Sequence, residues 1–198
     1  MSLDPEKIFE NLSLFRTLIE SKLEDRAPAC LALVDALGEN LALCPASSRT
    51  QYHAAYPGGL VEHSLCVLSN ARTLVKAFGH TVDRKSLILA TLFHDIGKVG
   101  MVVDGTVIDF YLPQTSQWHA ERGEVYKINE SLPYMTTQHR SIYLMQQFGI
   151  KLSHDEFLAI MLNDGFVDPN NKPYCLKEPV LAHVVMTSDY VSTCAEKP

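Results

Sequence analysis

The chain has 198 residues, of which 46% are hydrophobic and 20% are charged, and its net charge at pH 7 is −6. This length fits a single domain with a substantial core and leaves little room for two. No window contains the roughly 18 uncharged apolar residues that a membrane span requires, so we expect a soluble protein without a membrane partner. The negative charge provides no overall attraction to a nucleic-acid backbone, and any such substrate must be bound locally.

The N-terminus and the cysteines indicate an intracellular protein. The segment MSLDPEKIFENL has early acidic residues and no apolar core flanked by basic residues, which is unlike a secretory signal or a transit peptide. The five cysteines are odd in number and form no CxxC pair, which argues against a disulfide framework and against a zinc ribbon. We therefore expect free thiols and a cytoplasmic location.

Helical patterns dominate the sequence. Asp4 and Pro5 are typical of a helix start, Gly38 and Gly79 of helix ends, and Ser153 with Glu156 of a capping box. The helix that begins after Asp83 has no polar face, which indicates a central, buried position. The predicted helices cover approximately residues 5–25, 28–37, 60–78, 84–97, 137–148, 153–164 and 179–193.

One segment has the period of β-strands. MVVDGTVIDF contains two short β-prone runs joined by Asp104-Gly105, which is a strong hairpin signal, and GEVYKIN at 123–129 could add a third strand. The predicted fold class is all-α, a helical bundle with a small β-hairpin insertion.

The stretch LFHDIGKVG places His94 and Asp95 at the end of an otherwise apolar helix. A buried carboxylate must be paired, hydrogen-bonded or bound to a cation, because burying a bare charge is very unfavourable. His63 and Asp189 are further polar residues within apolar helical runs, and they are candidates for ligands of the same ion. The alternative is that His94 and Asp95 form a hydrogen-bonded pair at a helix end.

The motifs GGLVEH and HDIGK, followed by Asp189 on the last helix, resemble the HD-domain superfamily of metal-dependent phosphohydrolases. The longer stretch HAAYPGGLVEH is similar to the branch found in bacterial exoribonucleases and in phage and conjugative-element proteins. The resemblance covers approximately residues 50–195. It predicts an HD phosphohydrolase domain at 50–198. Residues 1–49 match no known motif, and we expect them to form N-terminal helices that pack on the core of this domain.

The resemblance implies one divalent metal ion held by His63, His94, Asp95 and Asp189. Manganese, iron, magnesium, nickel and zinc all suit such mixed ligands. Asp95 would orient the metal-activated water or take its proton, and Lys98 would contact a substrate phosphate, although Lys98 could instead only complement a helix dipole.

A second metal is not favoured. Many relatives bind it through further histidines, but this chain reads MLNDG, with Asn163 at the position where a histidine is common. Asp164 could still act as a ligand there.

Further residues are candidates for binding the substrate because they are cationic, aromatic or imidazole side chains near these motifs: His53, Trp118, His119, Arg122, His139 and Arg140. For His53 the alternative is a loop histidine packed on a tyrosine. For the group in the insertion the alternative is a solvated surface around one packed tryptophan.

The expected function is hydrolysis of a phosphoester in a nucleotide or a short nucleic acid by metal-activated water. The alternative is a catalytically weak HD-type module that binds a nucleotide or docks a partner. A purely structural helical protein is a third reading, and it predicts that no divalent ion binds.

Overall fold

The structure is a computed structural model that describes residues 3–195. Helices form most of this part of the chain, as predicted. In chain order the α-helices are α1 Pro5–Lys22, α2 Ala27–Leu43, α3 Gly59–Phe78, α4 Arg84–Phe93, α5 Gln117–Ala120, α6 Thr137–Gln147, α7 His154–Met161 and α8 Val180–Ala195. Short 3₁₀ turns occur at Glu24–Arg26, Ile96–Lys98, Gly165–Val167 and Pro169–Tyr174. Among the described residues, no helix combines the length and apolar character needed to cross a membrane.

Four short strands form two antiparallel pairs between α4 and α6. They are β1 Gly100–Val103, β2 Thr106–Asp109, β3 Tyr111–Pro113 and β4 Tyr126–Ile128. In the first pair Val103 lies opposite Thr106, and the turn between them has positive φ at Asp104 and Gly105, as a tight hairpin requires. β3 pairs with β4, so the predicted third strand is confirmed in part.

The core joins the N-terminal helices to the rest of the bundle. Phe15 of α1 packs edge-on against Phe93 of α4, with ring centroids 5.7 Å apart, and α2 contributes buried leucines to the same cluster. Arg26 forms an ion pair with the buried Glu156 at the start of α7. The N-terminal helices therefore pack on the core, while a domain boundary between residues 49 and 50 stays a prediction.

One predicted helix end is confirmed in part and another is wrong. The regular helical geometry of α2 breaks at Gly38, which has φ 48° and ψ −125°, and a further helical segment that contains the buried Leu41 continues to Leu43. α4 ends at Phe93 rather than near residue 97. The predicted all-α bundle with a small β insertion is confirmed.

Candidate metal centre

The end of α4 explains how two neighbouring side chains reach one space. The helix is buried from Leu87 to Phe93, and His94 continues its backbone geometry. Asp95 leaves the helix, with φ −112° and ψ 9°, and a 3₁₀ turn follows. Because adjacent residues of a regular helix point about 100° apart, this break allows the side chains of His94 and Asp95 to approach one another.

Helix α6 holds this turn through Gly97 and Ser141. The hydroxyl of Ser141 accepts a hydrogen bond from the backbone N–H of Gly97 and donates one to the carbonyl of His94, each at 2.9 Å. A Cβ at Gly97 would lie 2.6 Å from the backbone nitrogen of Ser141, which is closer than Cβ atoms approach other atoms in proteins. The glycine of HDIGK is therefore required by the close contact with α6.

Side chains from three separated segments converge beside this turn. His63 of α3, His94 and Asp189 of α8 are buried, and one potential ligand atom from each lies within 4.8 Å of the others. Nε2 of His63 is 3.0 Å from Oδ1 of Asp189, and Nε2 of His94 is 3.8 Å from the same oxygen. Oδ2 of Asp95 lies 3.5 Å from Nε2 of His94 and 3.9 Å from Nε2 of His63.

These distances fit ligands of one cation. Atoms bound about 2.1 Å from a common ion lie about 3.0 to 3.4 Å apart when adjacent and about 4.2 Å apart when opposite. The four measured separations extend from 3.0 to 3.9 Å. Two imidazoles with carboxylates also form a ligand set that suits several divalent transition metals. His63, His94 and Asp189 therefore fit a divalent ion, whose identity they leave open, and ligation by Asp95 stays a prediction.

The hydrogen bonding of His94 prepares it for this role. Its Nδ1 lies 2.8 Å from the carbonyl oxygen of Thr91, an acceptor, so Nδ1 carries the proton. Nε2 is then the lone-pair nitrogen, and it is buried without a hydrogen-bond partner among residues 3–195. A buried imidazole nitrogen in this state is a ready metal ligand.

The charges around the centre keep its carboxylates ionised. Burial alone would raise the pKa of Asp95, but the Lys98 ammonium beside it holds this pKa well below its usual range. Burial opposes a low pKa at Asp189 as well, and a hydrogen bond with His63 lowers it. The pKa of Lys98 is raised despite burial because its Nζ lies 2.5 Å from Oδ2 of Asp95. An anionic carboxylate and a cationic lysine are thus paired at the centre.

His53 and His139, two of the predicted substrate-binding residues, have different surroundings in the structure. The imidazole of His53 is beside His63, with ring centroids 4.6 Å apart, so the structure brings it to the site. His139 is exposed in the first turn of α6, where its Nδ1 lies 2.9 Å from the hydroxyl of Thr136. Substrate contact by either histidine stays a prediction.

Arg140 contacts the turn after Asp95. This residue is 1% exposed, and its guanidinium donates to the carbonyls of Gly97 and Met135 and lies 4.3 Å from the ring centroid of Phe110. A guanidinium used in this way supports the turn, and contact of Arg140 with a substrate phosphate stays a prediction.

The predicted cluster in the insertion forms, but its members contact one another. The Arg122 guanidinium lies 3.7 Å from the ring centroid of Trp118 and donates to its carbonyl oxygen. The ring of His119 contacts the same tryptophan, and its Nδ1 lies 2.9 Å from the hydroxyl of Ser116. Trp118 itself is largely exposed. Substrate binding by these three residues stays a prediction.

Sequence analysis missed a polar network behind Asp95. Gln138 of α6 donates to the side chains of Asn163 and Asp164, and Nδ2 of Asn163 lies 3.4 Å from Oδ1 of Asp95. Asn163 thus contacts one carboxylate oxygen of Asp95, and Lys98 contacts the other. In the sequence, Asn163 of MLNDG stands where a histidine metal ligand is common, so it indicates a missing ligand rather than this hydrogen bond.

A helical bundle that buries His63, His94 and Asp189 close together contains a possible site for a divalent metal ion. The sequence profile of the HD domain matches residues 60–194, and the chain belongs to this family. Membership suggests metal-dependent phosphohydrolase activity. The branch indicated by HAAYPGGLVEH stays a prediction. Searches of curated proteins and of solved structures gave no match.

Proposed function

We propose that the protein hydrolyses a phosphoester of a nucleotide or a short nucleic acid at a metal centre formed by His63, His94, Asp95 and Asp189. The observation that supports this proposal is the convergence of His63, His94 and Asp189, whose potential ligand atoms lie within 4.8 Å of one another in a buried space. When bound there, a divalent ion lowers the pKa of water and neutralises charge on a phosphoryl group.

Asp95 has the position of a residue that orients the attacking water. Lys98 holds one of its carboxylate oxygens, and Asn163 lies near the other. A carboxylate restrained at both oxygens presents a constant direction to a water molecule. Since its pKa is lowered, Asp95 is better suited to orienting this water than to retaining the proton that the water loses.

Lys98 joins the centre to the solvent-accessible surface. Its side chain is 15% exposed, and its ammonium already contacts Asp95. A phosphate that approaches Asp95 would meet this cation, which reduces the repulsion between the phosphate and the carboxylates. We therefore assign Lys98 to the substrate phosphate.

The test uses the full chain with manganese, iron, magnesium, nickel or zinc added in turn. We expect phosphate or nucleoside release from a panel of nucleotides and short oligonucleotides with at least one metal. His94→Gln should lower this activity by roughly 100-fold or more and reduce bound metal, because one ligand is lost. His154→Gln is the matched control, since the side chain of His154 is 81% exposed.

The alternative is a module that binds a nucleotide without turning it over. Asn163 favours it, because an amide occupies a position next to Asp95 where a second metal ligand would otherwise act. Tight nucleotide binding with no release across the whole panel would support this alternative. The absence of both bound metal and activity would contradict the proposed function.

A further inference from the structure

A cavity of about 450 Å³ lies beside Lys98, between α2 and the two antiparallel strand pairs. Its volume is within the range of small-molecule sites. The residues that carry the following argument line its wall: Asn40, Lys98, Asp109, Tyr111 and Tyr126. Because the Lys98 ammonium also contacts Asp95, the cavity is adjacent to the metal centre.

The charges in the cavity define where each part of a ligand would lie. Lys98 is its cation, whereas Asp109 and Glu39 are its anions. Nδ2 of Asn40 donates to Oδ1 of Asp109 at 2.8 Å, which holds the carboxylate in a set orientation. A phosphate is attracted to Lys98 and repelled by Asp109, so an uncharged part of the ligand that carries N–H donors must face Asp109.

Two aromatic side chains supply a surface for a flat ring. The rings of Tyr111 and Tyr126 are 6.2 Å apart and inclined by 47°, on neighbouring strands β3 and β4. Both line the cavity, together with prolines and Val99. Base rings stack readily on tyrosine in nucleotide sites. The cavity thus combines a phosphate-binding cation, an aromatic wall and an acceptor group.

We propose that this cavity binds the base of the nucleotide substrate, with Tyr126 stacking on the base and Asp109 selecting an edge that presents adjacent N–H donors, as guanine does. This inference rests on the proposed function, since it places the reacting phosphate between Lys98 and the metal centre. A carboxylate only accepts hydrogen bonds. Guanine offers the neighbouring N1–H and N2–H groups to it, whereas the single N–H of uracil lies between two carbonyl oxygens that a carboxylate repels.

The first experiment compares kcat/KM for guanosine and uridine 5′-monophosphates in the metal-loaded protein. We expect a preference for guanosine of at least tenfold. Asp109→Asn keeps a carbonyl oxygen for Asn40 but presents an amide donor to the base, so the preference should fall at least fivefold. Asp104→Asn, in the exposed turn of the same hairpin, should leave the ratio unchanged. Equal ratios in the wild type and the Asp109 variant would overturn the inference.

The second experiment measures binding of guanosine, which has no phosphate, in EDTA by calorimetry. Tyr126→Ala should weaken binding at least fivefold, Tyr126→Phe should retain it, and Tyr134→Ala should have no effect because Tyr134 is 95% exposed. Phosphate release without guanosine binding would overturn the cavity inference alone. Guanosine binding that depends on Asp109 and Tyr126, without phosphate release at any metal, would overturn the proposed function and support the cavity.

Discussion

The hydroxyl of Ser141 makes the two hydrogen bonds that hold the His94-Asp95 turn against α6. Removing this hydroxyl tests how the site is held in place. Ser141→Ala deletes a buried acceptor for the Gly97 N–H and a buried donor to the His94 carbonyl. Leaving the N–H unsatisfied costs about 1 to 3 kcal/mol, and losing the second hydrogen bond costs about 1 kcal/mol more. We expect the free energy of unfolding to fall by about 2 to 4 kcal/mol.

The same change should loosen the position of His94. Its imidazole is oriented by Thr91 on one side, while its backbone carbonyl accepts a hydrogen bond from Ser141 of α6. Loss of a group that orients a metal ligand typically lowers metal affinity by about 10-fold to 100-fold. Ser141→Ala should therefore weaken manganese binding within this range while the protein stays folded.

Urea denaturation and manganese titration measure the two effects. Ser188→Ala is the matched control, because Ser188 is also fully buried but its hydroxyl donates to the Val184 carbonyl within its own helix. We expect this control to lose about 1 kcal/mol or less. If Ser141→Ala is no less stable than Ser188→Ala and binds manganese equally well, the account of the turn is wrong.

Two further predictions concern the N-terminal helices. Glu156→Gln removes the charge that pairs with Arg26, and the glutamate side chain is only 1% exposed. Because the Arg26 charge then loses its partner, the free energy of unfolding should fall by about 2 to 4 kcal/mol. Urea denaturation checks this, with the exposed Glu10→Gln expected to change it by less than about 1 kcal/mol; similar losses would contradict it. Burial raises the pKa of the Cys30 thiol to about 12, so this thiol is protonated at pH 8. Iodoacetamide should therefore modify the exposed Cys175 faster than Cys30, by about tenfold or more. Peptide mass spectrometry reports both rates, and equal rates in the folded protein would refute the burial argument.

Local signals in the chain were reliable where neighbouring residues supply the stabilising contact. The Ser153 hydroxyl and Glu156 form the predicted capping box, and Asp4 and Asp83 cap α1 and α4 through hydrogen bonds to backbone N–H groups. The turn at Asp104 needs only two residues with positive φ. Each of these features is decided within four residues of sequence, so no tertiary information is required.

The sequence is less informative where the partners of a residue are distant in the chain. The apolar pattern reads as a helix to about residue 97, yet α4 ends at Phe93, and the turn after it is held by the Ser141 hydroxyl of α6. Nothing in the sequence shows that Arg140 donates to the carbonyls of Gly97 and Met135. A local pattern shows that a group is polar and does not show which partner it finds.

Hydrophobic periodicity predicted a helical bundle, and the resemblance of GGLVEH and HDIGK to HD domains implied a metal centre; of its implied ligands, His63, His94 and Asp189 lie together in the structure. The direction in which the chain leaves α4, the support of Asp95 by Lys98 and Asn163, and the cavity beside Lys98 depend on packing between α2, α6 and the strands. Such packing joins residues that are far apart in the sequence: 69 positions separate Asn40 and Asp109, whose side chains are hydrogen-bonded. Contacts over this separation form only when the whole core assembles. Closing a long loop lowers the entropy of the chain, and burial of side chains elsewhere in the fold offsets this loss.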